Sequence, residues 1–369
     1  MPIRYRETDT EKAILVGLAF NSRHRLEVTE SLHELARLTW SAGASVVGTR
    51  IQVRPKPDPA FFVGKGLVAE LKEQLAHAGG NCIIFDDTLS PAQQRNLEIE
   101  LQAKVIDRPI LILDIFATRA RTSAARLQVE LAQLEYTLPR LTGAWVHFSR
   151  QYGGIGAKGP GETQLEIDRR QVRTKISHLK MRLKKLGRQR ATQRKKRQSQ
   201  FKVALVGYTN AGKSTLFNLL TKAKARTADM LFTTLDSTTR VMSADYPCNI
   251  IFSDTVGFIK KLPHQLVESF KSTLEEVKLA DLLLHVADCS DPNLEERTVQ
   301  THKVLGEIAA DRVPYLMVYN KVDTILDFVP PPNEGAKAFT VSALNGQGIA
   351  ALRAELVARS NQFLSQTRN

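Results

Sequence analysis

Continuous apolar runs recur along the chain, each too short for a helix, and between them apolar residues return at spacings of three and four. Ala13–Phe20 (AILVGLAF) reads as a buried strand, and Ala44–Val53 as a second, ended by Pro55, Pro57 and Pro59. Cys82–Phe85 is a third, closed by Asp86-Asp87-Thr88, and residues 110–116 (ILILDIF) are expected to form a fourth. Residues 29–39 predict a short amphipathic helix between the first two strands. Gly64-Lys65-Gly66 opens another that runs through Ala76. Ser90-Pro91 starts a further helix, with Ser90 as cap and Pro91 at the first helical position. Strands alternating with helices predict a compact α/β domain with a mostly parallel sheet.

A second round of alternation begins at Phe201–Val206. Further strands are expected at Asn249–Ser253, Ala280–Val286, Val313–Tyr319 and Ala338–Val341, and residues 348–365 leave room for one final helix. The two rounds are separated by a different pattern. Apolar residues at 127, 131, 134 and 138 mark one face of a helix within 119–138. Residues 153–162 (GGIGAKGPGE) then interrupt regular structure, because glycine backbone entropy and missing side chains oppose both helix and strand. Residues 166–198 read as a long helix whose sparse stripe, Ile176, Leu179, Leu183 and Leu186, is expected to pack on the 119–138 helix. The expected organisation is an amino-terminal α/β domain over 1–118, a helical, partly glycine-rich linker over 119–199, and a larger α/β domain over 200–369.

A length of 369 residues suits two or three domains, and 24% charged with 43% hydrophobic residues suits a globular protein. Cys82, Cys248 and Cys289 are too far apart in sequence for a metal or redox motif and fit a reducing compartment. No stretch is apolar enough for a membrane span, and no secretory or transit peptide is expected. Charge changes the picture more. The formal net charge is +14, and between Arg169 and Arg197 there are fourteen Lys or Arg and no Asp or Glu, so one helix carries the whole excess. Such a stripe attracts phosphate backbones. An anionic membrane surface is the alternative, although the stripe lacks a broad apolar face to insert. Lys180, Arg182, Lys184, Lys185, Arg188, Arg190, Arg194, Lys195, Lys196 and Arg197, with the loop glycines Gly153, Gly154 and Gly156, are the candidate partner-binding residues. The glycine stretch reads either as a flexible hinge or as a loop ordered against a partner.

Candidate chemistry sits at the start of the second round. Gly207-Tyr208-Thr209-Asn210-Ala211-Gly212-Lys213-Ser214-Thr215 follows a strand and precedes the helix-like Leu216–Leu220, the context a phosphate-binding loop requires. Its backbone N–H groups and the helix N-terminus would receive phosphate oxygens. Lys213 would reach the β- and γ-phosphates, and the Ser214 hydroxyl would meet Mg²⁺. Thr234, with Thr233 beside it, stands where a switch threonine would meet Mg²⁺ and the γ-phosphate. Asp254 would hold a Mg²⁺ water, and the Gly257 N–H would touch the γ-phosphate. Lys213, Thr234 and Gly257 are the candidate catalytic groups. Asn320-Lys321-Val322-Asp323 then suits guanine: the Asp323 carboxylate can accept from N1–H and the exocyclic amine, which adenine does not offer together. Asn320 would hold the base and the neighbouring loop, the Lys321 stem would lie against the base, and the backbone of Ser342-Ala343-Leu344 would meet O6. Position 258 carries Phe258, which cannot orient an attacking water. Slow intrinsic hydrolysis follows, and Phe258, Ile259 and Leu262 read as an apolar switch surface. Phe62-Val63-Gly64-Lys65-Gly66 is a weaker phosphate-loop candidate.

GYTNAGKSTLFN, DTVGFI and NKVD together resemble the HflX family of ribosome-associated GTPases. So do Arg119–Glu130 (RARTSAARLQVE), Gly153–Gly156 and Gly159–Arg170 (GPGETQLEIDRR), with Phe61–Gly66 and Leu89–Gln93. The resemblance covers roughly residues 10–355. It implies a P-loop GTPase domain behind a smaller α/β domain and a linker, binding GTP or GDP with Mg²⁺. It further implies a monomeric cytoplasmic factor that binds the large ribosomal subunit and its RNA, is stimulated by ribosomes, and splits or rescues them. Asn210 resembles the asparagine with which some GTPases hold K⁺, although a turn role alone also accounts for it. Many members continue into a further carboxy-terminal domain, whereas this chain ends at Asn369, which puts in doubt any ribosome contact that such a domain would make. A signalling switch that recruits protein effectors and an RNA-remodelling nucleotide hydrolase are the competing classes.

Overall fold

The computed structural model of the chain describes residues 11–142, 160–195, 200–222, 231–232, 238–242, 250–261, 271–331 and 336–367. The chain forms two compact units, Met1–Thr118 with Val129–Met181, and Arg119–Gln128 with Arg182–Asn369.

In the first unit β1 (Lys12–Ala19), β2 (Ser45–Val53), β3 (Cys82–Phe85) and β4 (Lys104–Asp107) form a parallel sheet in the order β2-β1-β3-β4. β1 is buried from Ala13 to Ala19, which is why it reads as a continuous apolar run and not as an alternation. The strands are linked by α1 (His24–Ser41), α2 (Lys65–Ala78) and α3 (Pro91–Leu101), and α4 (Arg108–Arg119) follows the last. Leu67, Leu71 and Leu75 of α2 and Leu97 of α3 pack with Ile14, Val16, Ile83 and Phe85 of the sheet. α3 begins as its sequence demands. Ser90 Oγ accepts from the Gln93 N–H, Gln93 Oε1 accepts from the Ser90 N–H, and Pro91 occupies the first turn.

The fourth strand is not residues 110–116. It is the four-residue KVID of β4, and 110–116 lie inside α4. Pro109 stands in the first turn and Asp107 Oδ1 accepts from the Ile110 N–H at 3.2 Å, so the chain is capped into a helix. Leu111 with Ile115 and Ile112 with Phe116 then bury one helical face. A short apolar run alone does not separate the two possibilities.

α5 (Ser123–Thr137) and α6 (Pro160–Lys195) are the helices expected between the two rounds. Leu179 is buried, and Lys175 and Lys180 meet Glu130 and Glu135 at 2.6 and 2.7 Å, so the apolar stripe of α6 lies along α5 there.

The second unit holds β5 (Phe201–Val206), β6 (Thr238–Val241), β7 (Ile250–Asp254), β8 (Leu282–Asp288), β9 (Tyr315–Asn320) and β10 (Ala338–Thr340), in the order β10-β9-β8-β5-β7-β6. Every pairing is parallel except β6 with β7. α7 (Lys213–Thr221) and α10 (Ile349–Thr367) bury Leu216, Phe217, Leu352 and Leu356 on one core. α8 (Lys271–Lys278) and α9 (Leu294–Glu307) bury Val277, Val304 and Leu305 on another. The parallel strands therefore deliver their carboxyl ends to one edge, where ligands of such sheets collect. Among the described residues, no helix is long and apolar enough to cross a membrane.

Candidate functional site

At that edge β5 leaves the sheet through Gly207. Its φ is +141°, and a Cβ there would stand 2.1 Å from the Val286 carbonyl oxygen, so only glycine lets the loop begin so close to β8. The loop closes at Gly212, φ +87°, where a Cβ would meet Asn320 Nδ2 at 2.1 Å. Asn210 also takes positive φ, 63°, which asparagine tolerates; this is the turn role expected of it.

Lys213 opens α7 and is buried. Its ammonium donates to the carbonyls of Gly207 at 3.0 Å and Tyr208 at 2.6 Å. Two of three donors are thus fixed by the loop, and the side chain is held in place instead of searching rotamers. Burial pulls its pKa down to about 8, and the nearby Asp254 charge partly opposes that. An anion beside it would restore the charged form.

Ser214 Oγ donates to Asp254 Oδ2 at 2.7 Å, joining the first turn of α7 to the end of β7. A hydroxyl and a carboxylate at this separation are hard oxygen donors that could share a Mg²⁺ shell with phosphate oxygens. Thr215 follows, half-buried, on α7. Thr255 Oγ1 donates to the Leu205 carbonyl and anchors the segment after β7.

Phe258 and Ile259 do not form an apolar switch surface. They are 2% and 0% exposed, and the Phe258 ring packs with Val206, Val277, Leu283 and Val304. The β7 segment pairs with the phosphate loop, which turns the ring into the core. The backbone of Gly257 stays at the loop, where a Cβ would lie 2.9 Å from Lys213 Nζ.

Asn320 ends β9 and is 2% exposed. Its Nδ2 donates to the Ala211 carbonyl and its Oδ1 accepts from the Ala343 N–H, both at 2.9 Å. One side chain therefore joins the phosphate loop to the Ser342–Leu344 loop. Lys321 takes φ +68°, and its ammonium pairs with Asp288 at 2.6 Å, which lays the stem along the edge. Asp323 is exposed in the single turn Val322–Thr324, Ser342 and Ala343 are buried, and Leu344 is 82% exposed.

Sequence reasoning missed a second layer behind the loop. Tyr208, Thr209, Ala211, His285, Asp288 and Arg297 line a narrow cavity there. Thr209 Oγ1 and His285 Nδ1 are buried and have no hydrogen-bond partner among the described residues. Burial, helped by His302 and Lys213, pushes the His285 pKa down to about 3, so the imidazole is neutral. The signal was a lone histidine inside the apolar strand LLLHVAD.

Thr233, Thr234, Leu262, Gly153, Gly154, Gly156, Lys196 and Arg197 lie outside the described residues. Arg190, Arg194 and Lys195 continue the backbone of α6. Arg182, Lys184, Lys185 and Arg188 are exposed, and Lys180 keeps its exposure while paired with Glu135. The weaker loop at Gly64 is already engaged: its N–H donates to Gln52 Oε1 at 2.8 Å.

A strand–loop–helix with a buried lysine, a serine bonded to the aspartate that ends β7, and an asparagine that ties this loop to the one after β10 define a P-loop GTPase domain. Comparison with known proteins extends this beyond the domain. Models described as GTP-binding GTPase N-terminal, GTP-binding GTPase Middle Region and 50S ribosome-binding GTPase match residues 29–117, 119–197 and 202–321. The chain is 46% identical over 354 residues to GTPase HflX of Alkalihalophilus pseudofirmus, spanning 95% of this chain and 83% of that protein. It is 45% identical over 365 residues to GTPase HflX of Escherichia coli, spanning 96% and 84%. The chain belongs to the HflX family. Its fold resembles the crystal structure of the SsGBP and GDP complex, with a TM-score of 0.50 at 23% identity over 96% of this chain and 99% of that one.

Proposed function

We propose that this protein is a cytoplasmic, monomeric GTP-hydrolysing factor that binds the large ribosomal subunit through its RNA and promotes splitting or rescue of ribosomes. The observation that carries the reading is that one chain joins a GTPase site to α6, whose Arg182, Lys184, Lys185 and Arg188 are exposed along a helix without interleaved acids. Counter-ion release from RNA is the physical source of affinity for such a face. The family membership and the match to a 50S ribosome-binding GTPase model support the same partner.

In this reading Lys213, fixed by two carbonyls, turns its remaining N–H toward the phosphates, and the Gly257 N–H meets the γ-phosphoryl from the other side. Ser214 and Asp254, with Thr234, would hold Mg²⁺, which supplies charge neutralisation between the phosphates. Asp323 and the Lys321 stem select guanine, with the Ser342–Leu344 backbone beside O6. Phe258 is in the core, so no side chain at that position orients the water, and intrinsic turnover is slow. Ribosome binding supplies the missing order. Asn210 holding K⁺ would offset charge between the β- and γ-phosphates in the same way, and hydrolysis in potassium against sodium at equal ionic strength reads that contribution.

The test is single-turnover cleavage of GTP with and without purified large subunits. The reading expects a rise of at least tenfold with subunits. Equal rates in both conditions would defeat ribosomal stimulation.

A further inference from the structure

The segment that follows β7 is fastened to the phosphate loop at several points. The Phe258 N–H donates to the Gly207 carbonyl at 3.1 Å, and the Thr209 N–H donates to the Phe258 carbonyl at 2.8 Å, a short parallel bridge centred on Tyr208 and Phe258. Two residues on, the Lys260 N–H donates to the Tyr208 hydroxyl at 2.8 Å. Tyr208 is 5% exposed, its ring lies under the Arg297 guanidinium at 4.8 Å, and Arg297 pairs with Asp291. Lys260 Nζ meets Glu296 of α9 at 2.5 Å.

This fastening fixes how close Gly257 comes to the loop. A Cβ on Gly257 would stand 2.8 Å from Thr209 Cα and 2.9 Å from Lys213 Nζ, so the glycine rests directly on the lysine ammonium. A γ-phosphoryl group held by both Lys213 and the Gly257 N–H has to stand between them. With Gly257 this near Lys213, such a group would have to part the two, and the Thr209 N–H is already given to Phe258. A diphosphate makes no demand on that space.

We propose that Tyr208 is a specificity-determining residue for the phosphate chain: its hydroxyl holds the Gly257–Lys260 segment against the phosphate loop, favouring GDP and making GTP break the fastening before it can bind fully. The inference rests on the nucleotide-site reading above. The backbone bridge can be made by any residue at 208, but the bond to Lys260 needs the hydroxyl. The fraction of molecules with the segment released sets the apparent affinity for the triphosphate and leaves that for the diphosphate alone.

The substitution Tyr208→Phe keeps the ring and removes only the hydroxyl. Calorimetric titration of the full chain with GDP and with a non-hydrolysable GTP analogue, in wild type and Y208F, reads the effect. One hydrogen bond is worth a gain of about three- to tenfold in analogue affinity, with GDP affinity constant. An unchanged ratio of the two affinities overturns the proposal. Hydrogen exchange on the wild type gives a reading independent of the variant's folding. The Thr209, Phe258 and Lys260 amides should be protected with GDP and exchange faster with the analogue, and equal protection in both states also overturns it. Wild type that binds neither nucleotide would overturn the nucleotide-site reading and this proposal with it, whereas retained GDP binding with an unchanged ratio sinks the proposal alone.

Discussion

At the carboxyl ends of β3 and β4, in the first unit, the chain places Asp86, Asp107 and Arg108, all buried. Arg108 Nε and Nη2 donate to Asp86 Oδ1 at 3.0 and 2.7 Å, Nη1 donates to Glu34 Oε2 at 2.8 Å, and Nη2 also reaches the Ser31 carbonyl. Burial works against the arginine's charge, yet Asp86 and Glu34 together raise its pKa. Asp107 accepts from the Leu89 N–H and the Tyr136 hydroxyl. At the carboxyl ends of β5 and β7, in the second unit, the chain turns through Gly207 and Gly212, and the polar groups described there include backbone N–H donors, Lys213 and the Ser214–Asp254 pair. Both sheets are parallel α/β sheets with the crevice that such sheets offer. The first fills its edge with long side chains that satisfy one another. The second keeps side chains away with glycine. In this chain the edge that keeps its glycines is the one that carries the phosphate loop.

Removing the plug in the first unit should have the largest effect. Arg108→Ala leaves a buried Asp86 and a part-buried Glu34 without their cation and should destabilise that unit by about 3–5 kcal/mol in denaturant unfolding. A loss under 1 kcal/mol would show that the network is not what closes this edge. Gly212→Ala carries the converse test, since it puts a methyl group into the glycine-lined edge. It forces a left-handed alanine onto Asn320 and should weaken GTP and GDP alike by on the order of 100-fold, from strain of roughly 2–3 kcal/mol. Near-normal binding would mean that the loop relaxes freely. Asp323→Asn should cost about tenfold in GTP affinity, near 1.4 kcal/mol, with ATP binding unaffected. Equal GTP and ATP affinities in the wild type would remove the guanine assignment. The last effect accumulates as the pH falls and concerns the layer behind the loop. His285 is neutral in the fold with a pKa near 3, against an ordinary value of 6.5, so the unfolded chain binds the extra proton between those values. Stability should be whole above pH 6.5 and fall as the pH drops toward 3, by up to roughly 1.4 kcal/mol per pH unit from this group. Urea titrations from pH 7 to pH 4.5 should show a shallower fall in His285→Phe; identical slopes would place the imidazole elsewhere.

What the sequence disclosed follows the same division. The phosphate loop was legible because strand, glycine turn and helix leave a local pattern, and Asn320–Asp323 because a short loop carries its own chemistry. The first unit's edge was not. Arg108 follows a four-residue strand, and its partners Ser31, Glu34 and Asp86 are far away in sequence, so nothing local marks the pairing. ILILDIF was misread as a strand for a related reason: Asp107 and Pro109, which cap it into a helix, lie just before the apolar run. Phe258 is the instructive case at the site. Its chemistry, the lack of any group for water, could be read directly. Its direction depends on the bridge to Tyr208, a contact across fifty residues that no local pattern encodes.

Co-sedimentation reads whether this GTPase acts on the large ribosomal subunit through a cationic helix. Wild type and a variant with six basic residues between 180 and 197 neutralised would be pelleted with purified large subunits across a salt series, with GDP or a non-hydrolysable GTP analogue. Wild type should pellet more strongly with the analogue, with affinity falling steeply as salt rises, and the variant should bind less and with a shallower salt slope. Wild type that remains in the supernatant in both nucleotide states, or a variant that matches it at every salt concentration, would rule out a ribosome-binding role for the helix.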